Sequence, residues 1–568
     1  MAAMRKAVHE SGSAREKLHG VGGIGCSIAL ILGLGATSAH AQDAGALARE
    51  RARVEAERQA AERAARAAAP DARLDGQEAY PLGDFPEEEP CFAIQRIEIE
   101  GGVPEGLGWV EGHLGQFRGK CMGAKGLDHV LRSLQGAFLE RGLITTRAGA
   151  PEQDLASGVL KLRIVPGKVS GVRVTPGYEL GWAAASPVDP GALVSLRALE
   201  QGLEQMRRIP ARAVEVQLEP GTEPGESVLA VTVGKARPIS GSLSLNNFAS
   251  GSVGRWQGAA QLAALDVLGL SEIVSASYNR RIDAPGVPAD SQGTGLSASI
   301  PWGWWTFGVS GSASRYGQTI LGEVRNFETR GRLYTVSGYG ERVIHRDRTS
   351  KTSLRATLSR RWARSYIDDV EIGLQRQDLS DIELALIDRR QLGRLRLDSE
   401  LAVRFGVDLF GAQDDAPGQP AAFPTARYRI VTADIAATLP MGDGFIESWR
   451  LAFRGQVSGE PLYGSDLFSA GGPYTVRGYD SDRAVLGKTG WYLRQELTAR
   501  IGDHVRPYLL LDMGRVENGG SLLAGLGGGV RAAVHGFTLD AFAAIPLSHD
   551  TLADNRLAQL GLSIGWGF

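Results

Sequence analysis

From Pro238 to Phe568 the chain repeats one pattern, short runs in which apolar and polar residues alternate with period 2. That period belongs to strands with two unlike faces. At the C-terminus Leu560, Leu562, Ile564, Trp566 and Phe568 alternate with Gly561, Ser563, Gly565 and Gly567. Trp449, Leu451, Phe453 and Val457 oppose Arg450, Ala452, Arg454, Gln456 and Ser458 in the same way, and Leu493, Gln495, Leu497, Ala499 and Ile501 oppose Arg494, Glu496, Thr498 and Arg500. In a soluble sandwich the apolar face packs on a second sheet. In a membrane barrel it meets lipid, and the charged face lines the lumen. One strand cannot separate the two. Three further features favour the barrel: the alternation persists for over 300 residues, aromatics gather at a strand end (Trp302, Trp304, Trp305), and the last strand ends in phenylalanine. At roughly 20 residues per strand and connection, the 331 residues (568 − 237) give about 16 antiparallel strands.

The N-terminus fits that destination. Arg5, Lys6, Arg15 and Lys17 precede an apolar run from Val21 to Ala36, and Ala39-His40-Ala41 offers a cleavage site before Gln42. Residues 1–41 read as a secretory signal peptide. After it no stretch is long and apolar enough for a transmembrane helix. Glycine supplies 75 of 568 residues, well above the usual ~7 %. A net charge of −2 gives no sign of nucleic-acid binding. Two cysteines remain in the mature chain, Cys91 and Cys121, and an even pair in an oxidising compartment reads as one disulfide.

Residues 42–70 contain an Ala/Arg/Glu-rich helix with paired charges at Glu50/Arg53, Glu55/Arg58 and Glu62/Arg66, and only Leu47 and Val54 as larger aliphatics. A helix polar all round is solvated on every side; by itself it reads as a spacer, with a helix in an aqueous channel as the alternative. Residues 71–89, with Pro81, Pro86 and Glu87-Glu88-Glu89, read as a linker. Two α/β modules follow. The first, 90–167, carries an alternating strand from Ile94 to Ile99, a helix from Leu127 to Arg141 with Gly142 behind it, and strands Leu143–Arg147 and Val159–Val165. The second, 168–237, carries strand Val169–Val174, a helix with Leu199, Leu203 and Met206, and strands Val214–Leu218 and Val228–Val233.

Catalytic signatures fail one by one. Gly561-Leu562-Ser563-Ile564-Gly565 has the letters of a nucleophile elbow, but Ser563 sits mid-strand with no helix after it. Gly487-Lys488-Thr489 lacks the leading glycine of a phosphate loop, having Asp482 there. The histidines show no metal-ligand spacing. No catalytic residue, metal or cofactor is expected.

Gly471-Gly472-Pro473-Tyr474-Thr475-Val476-Arg477-Gly478-Tyr479-Asp480, followed by Gly490-Trp491-Tyr492-Leu493-Arg494-Gln495-Glu496-Leu497, resembles the transporters of two-partner secretion, the haemolysin or adhesin secretion and activation family of the barrel-assembly superfamily. Ser299-Ile300-Pro301-Trp302-Gly303-Trp304-Trp305 is similar to that family's early strand pair; Pro90-Cys91-Phe92, Cys121 and Val165-Pro166-Gly167-Lys168 are similar to its first polypeptide-transport-associated (POTRA) module. The resemblance implies a 16-stranded outer-membrane barrel over 238–568, two periplasmic POTRA modules, and a helix at 42–70 that plugs the pore. It implies that Val476, Arg477, Gly478 and Tyr479 lie in an extracellular loop folded back into the barrel. Arg477 would then reach an acidic strand residue, for which Asp512 is the matching position; alternation turns Asp512 to the lumen, where the alternative is that it only solvates the channel. The implied partners are a secreted exoprotein bound through the POTRA modules and outer-membrane lipid, with the chain working as a monomer. Two rival functions stand beside export: assembly of other barrels, against which the small receptor part argues, and a passive porin or adhesive barrel.

Overall fold

A computed structural model describes residues 53–55, 57–59, 72–74 and 82–568, less 250–253, 283–290, 321–324, 443, 518–520 and 549–557. The signal peptide expected at 1–41, and much of the expected helix and linker over 42–89, lie outside the described residues.

In the first module, Val159–Val165 lies between a parallel Arg96–Ile99 and an antiparallel Arg147–Gly149. Two helices cover the sheet, α1 (Trp109–Leu114) and α2 (Ala124–Glu140). Helix α2 turns Val130, Leu134 and Phe138 into a core with Ile94, Leu160 and Leu162. The strand expected at Leu143–Arg147 is corrected: the ladder starts only at Arg147. Gly142, at φ +77°, ends the helix, and the next residues turn inward so that Leu143 and Thr146 are buried; there the Thr146 hydroxyl accepts a hydrogen bond from the Gly167 N–H at 3.1 Å. Cys91 and Cys121 are disulfide-bonded beside the short pair Phe92–Ala93 and Cys121–Met122.

The second module repeats the order. Glu226–Val233 lies between a parallel Lys168–Val174 and an antiparallel Val214–Pro220, under helices α3 (Glu179–Ala185) and α4 (Leu196–Met206). Ser195 caps α4 by accepting from the Ala198 N–H. Leu199, Leu203 and Met206 face the module core, whereas Glu200, Gln201, Glu204 and Gln205 are also buried, although they are polar. The reason is the barrel.

Sixteen antiparallel strands close that barrel: β1 (Ile239–Asn246), β2 (Gln257–Leu265), β3 (Ile273–Arg281), β4 (Gln292–Trp302), β5 (Trp305–Ile320), β6 (Phe327–Arg346), β7 (Ser350–Ile367), β8 (Gln377–Leu392), β9 (Leu395–Val407), β10 (Arg429–Pro440), β11 (Ile446–Val457), β12 (Gly490–Ala499), β13 (Val505–Val516), β14 (Leu523–Val534), β15 (Phe537–Pro546) and β16 (Gln559–Gly567). Strand β16 returns to β1, pairing Ser563 with Asn246 through Gly567 with Ser242. A two-residue strand, Val370–Glu371, adjoins the end of β7. Closure removes the sheet edge, so each strand is flanked by a hydrogen-bonding neighbour on both sides, as a lipid environment requires. Apolar residues such as Leu262, Leu296, Val309, Val336 and Leu384 stay exposed on the outside, while charged residues pair in the lumen, as Arg355 does with Glu341 at 2.6 Å. Strand β12 ends at Ala499; Ile501, read as its continuation, instead forms an isolated bridge to Val505 across the turn.

Helix α4 and its neighbours dock on the hairpin ends at one mouth. Gly303, between β4 and β5, donates to the Ala184 carbonyl at 2.7 Å. Arg212 pairs with Asp266 and donates to Ser271 Oγ at 3.2 Å. Arg346, at the end of β6, reaches Gln201 Oε1 at 3.0 Å and Glu204 Oε2 at 2.9 Å. A cavity of ≈ 260 Å³ lies between α4 and the lumenal wall, bordered by Gln205, Arg208, Glu341, Arg355 and Glu400.

Candidate functional site

Between β11 and β12 the chain does not turn back at the rim. Residues 458–489 descend into the lumen as a loop stiffened by a short hairpin, Phe468–Ala470 with Val485–Gly487. Its tip is buried: Val476 and Tyr479 are 0 % exposed and Arg477 is 1 % exposed. For an arginine that burial demands a full set of partners. Asp512 on β13, itself 0 % exposed, supplies most of it. Arg477 donates from Nε to Asp512 Oδ2 at 2.6 Å, from Nη2 to Oδ1 at 2.9 Å, and from its backbone N–H to Oδ2 at 3.1 Å. This is a bidentate fork locked by a third bond. The remaining amine, Nη1, donates to Glu496 Oε1 on β12 at 2.5 Å.

The network continues along the wall. Arg531 on β14 donates twice to Glu496, at 2.8 and 3.1 Å, and through Nε to Asp540 on β15 at 3.0 Å. Charges of alternating sign thus tie the loop tip to four consecutive strands. Backbone bonds finish the seat. Gly478 N–H donates to Gln559 Oε1 at 3.0 Å and Gln559 Nε2 donates to the Tyr479 carbonyl at 2.8 Å. The Tyr479 hydroxyl donates to the Ala524 carbonyl at 3.0 Å. Gly478 has φ +100°, and a Cβ there would meet the Ile545 carbonyl carbon at 2.9 Å; glycine is required on both counts.

A second anchor holds the loop base, and nothing in the sequence marked it. Asp466, 3 % exposed, accepts from Arg361 Nη1 and Nη2 at 3.1 Å each and pairs with Arg404 at 3.3 Å. Tyr428 joins this cluster, accepting from Arg361 at 3.2 Å and donating to Asp381 at 3.2 Å. Arg361, Asp381 and Arg404 sit on β7, β8 and β9 and Tyr428 immediately precedes β10, on the other side of the β11–β12 hairpin from Asp512. The loop is therefore pinned at two points on the wall.

The comparisons with known proteins agree with this architecture. Residues 225–532 match the model of the haemolysin secretion/activation protein ShlB/FhaC/HecB family, residues 92–167 match the ShlB-type POTRA domain, and residues 168–220 match a second POTRA domain. The chain belongs to the ShlB/FhaC/HecB family. The outer membrane transporter CdiB-2 of Burkholderia pseudomallei (strain 1026b) is 32 % identical over 522 residues, covering 86 % of this chain and 88 % of that protein. The hemolysin transporter protein HpmB of Proteus mirabilis is 26 % identical over 451 residues, covering 78 % and 79 %. Among solved structures, CdiB from Escherichia coli superposes with a TM-score of 0.82 at 24 % identity, over 91 % of this chain and 98 % of that one. As a member of the ShlB/FhaC/HecB family the chain is an outer-membrane transporter of two-partner secretion, with its POTRA domains in the periplasm.

In the ShlB/FhaC/HecB frame, the helical residues 53–55 and 57–59 acquire surroundings. Glu55 and Gln59 border a cleft shared with Arg404, Arg454, Gln456, Asp466 and Tyr492. Within the helix Arg58 holds Glu55 at 2.6 Å and Arg53 holds Glu57 at 3.0 Å. Farther along, Ala72 is 3 % exposed against the second POTRA core; its carbonyl accepts from Arg346 at 2.6 Å and the Leu74 N–H donates to Glu200 at 2.9 Å.

Proposed function

We propose that an unfolded secreted partner docks on the POTRA modules, passes through the barrel as the N-terminal helix leaves the lumen, and emerges past a loop whose position the Arg477–Asp512 pair sets. The family supports export in preference to assembly of other barrels. Docking by strand addition suits the open outer edges of Arg147–Gly149 and Val214–Pro220, each of which ends its three-stranded sheet. The barrel closes within one chain, which supports work as a monomer. Domain limits of 42–70 for the plug, 90–167 and 168–237 for the modules and 238–568 for the barrel belong to the same proposal. The observation that carries it is the doubly pinned loop: a passive pore has no use for a buried arginine tied to four strands.

The test is export itself. With a candidate secreted exoprotein co-expressed, culture medium should contain that exoprotein only when the transporter is present. Arg477→Ala should lower the amount in the medium while the barrel remains heat-modifiable. Deleting residues 42–70 should raise ion conductance in planar bilayers, and unchanged conductance would sink the plug assignment.

A further inference from the structure

On the outer face of the barrel, register aligns four arginines on neighbouring strands. Arg280 on β3 is opposite Gln292 on β4, Gln292 is opposite Arg315 on β5, Arg315 is opposite Arg332 on β6, and Arg332 is opposite Arg364 on β7. Their parity is that of the exposed Tyr278, Val309, Val336 and Leu354, so the row faces outward. The row directly beneath holds Tyr278, Thr294, Ala313, Tyr334 and Trp362. Below that the face is apolar on β4, β5 and β6, down to the row of Trp302, Trp305, Arg342 and Leu354 beside the POTRA-docked hairpins. On β7, Arg360, opposite Val336, reaches up over the Trp362 ring and donates to the Gly411 carbonyl at 3.0 Å.

The spacing fixes the level of the arginines in the bilayer. From residue 305 to 315 on β5, from 342 to 332 on β6 and from 354 to 364 on β7, the chain climbs about 33 Å along the strand at ~3.3 Å per residue. Barrel strands incline by roughly 35–45°, so the rise is about 25 Å, the height of one hydrocarbon band. The arginines therefore stand at the headgroup level of the external leaflet, with aromatic side chains at the boundary below them.

Like charges directly opposite on neighbouring strands repel, so the row is stabilised by anions in addition to the interactions that Arg280 and Arg315 already make. Protein carboxylates serve part of it: Arg364 donates to both oxygens of Asp378 at 3.0 Å, and Arg330, one step farther out, pairs with Glu328 at 2.6 Å and Asp369 at 2.9 Å. Arg332, flanked by Arg315 and Arg364, makes no hydrogen bond or ion pair with any described residue. We propose that Arg315 and Arg332, with Arg280 and Arg364 beside them, bind the phosphate groups of a phosphorylated glycolipid in the external leaflet. A guanidinium fork matches phosphate bidentately, and the aromatic row below meets the boundary between sugar and acyl chains. The proposal rests on the outer-membrane placement of the barrel.

Full-length chain in detergent, mixed with bis-phosphorylated lipid A and weighed by native mass spectrometry, tests it. Wild type should retain that lipid about tenfold better than its phosphate-free counterpart. Arg315→Gln with Arg332→Gln should lose about the same factor, and Arg315→Lys with Arg332→Lys should fall between. Single Arg332→Gln gives the reading if the double variant is not heat-modifiable. Equal retention of the phosphate-free lipid, or retention unaffected by the glutamine variants, overturns the site. Equal retention of phosphatidylglycerol, or displacement by inorganic phosphate, overturns the glycolipid as its ligand. Partner export by the same variants, assayed separately, keeps this outcome apart from that of the transport reading.

Discussion

The carbonyl oxygen of Arg477 lies 1.8 Å from where a Cβ on Gly525 would stand. The loop tip thus touches bare backbone on β14, and no side chain fits between them. Gly525→Ala should push the tip off the wall at a cost of about 1–3 kcal/mol, although it removes no charge. Export of the partner should fall toward the Arg477→Ala level, with the barrel still heat-modifiable. Normal export from Gly525→Ala would mean that the seat has no role in transport.

The ionic half of the seat is separable by a double-mutant cycle. Asp512→Ala alone leaves Arg477 buried beside Glu496 only, and Arg477→Ala alone leaves Asp512 without its fork. Each single change should lower the urea midpoint of the barrel in lipid vesicles. The double variant should lose less than their sum, by roughly 1–3 kcal/mol of coupling. Strict additivity would show that the pair does not act as a unit.

How much of this was legible in the sequence follows from what each feature depends on. The barrel was legible because lipid outside and water inside print their difference on every second residue, as in Leu560 to Phe568. The lumenal direction of Asp512 came from the same parity. Its partner came from the Val476-Arg477-Gly478-Tyr479 resemblance alone, since parity cannot rank neighbours: register sets Arg494 directly opposite Asp512, yet Arg494 stays at 3.9 Å while Arg477 closes to 2.6 Å. Glu496 and Arg531 were visible only as lumenal charges. Asp466 was missed because its partners Arg361 and Arg404 are distant in sequence and meet it only once the loop has folded inward. Helices α1 and α3, at 6 and 7 residues, are too short to show a 3.6-residue period.

Helix α4 owes its buried polar face to Arg346, and the dependence is mutual. Arg346→Ala would leave Glu204 buried with Lys351 as its cationic partner, and Glu200 buried with Arg197 and the Leu74 N–H. Breaking a buried pair costs about 3–5 kcal/mol, and the loss should appear as faster hydrogen exchange over residues 196–206. Segment 72–74 should exchange faster too, because Arg346 also holds the Ala72 carbonyl. Protection unchanged in both segments would refute the docking role of Arg346.

The linker that precedes the first POTRA module has its own pH dependence. Glu88 accepts the N–H groups of Gly123, Lys125 and Gly126, at 2.7, 2.9 and 2.6 Å, and so caps α2 from outside the helix. Desolvation would raise its pKa; the three N–H groups outweigh it and hold the carboxyl below its ordinary value of 4.5. A carboxyl depressed in the folded state stabilises fully above its unfolded pKa, and that contribution fades as pH falls through the folded one. Protection of residues 124–140 should therefore be greater in wild type than in Glu88→Gln at pH 7, and the gap should narrow below about pH 4.5. Hydrogen exchange of the two proteins compared at each pH reads this directly, since intrinsic exchange rates cancel. A gap that stays constant down to pH 3 would show that the cap does not depend on the ionised carboxylate.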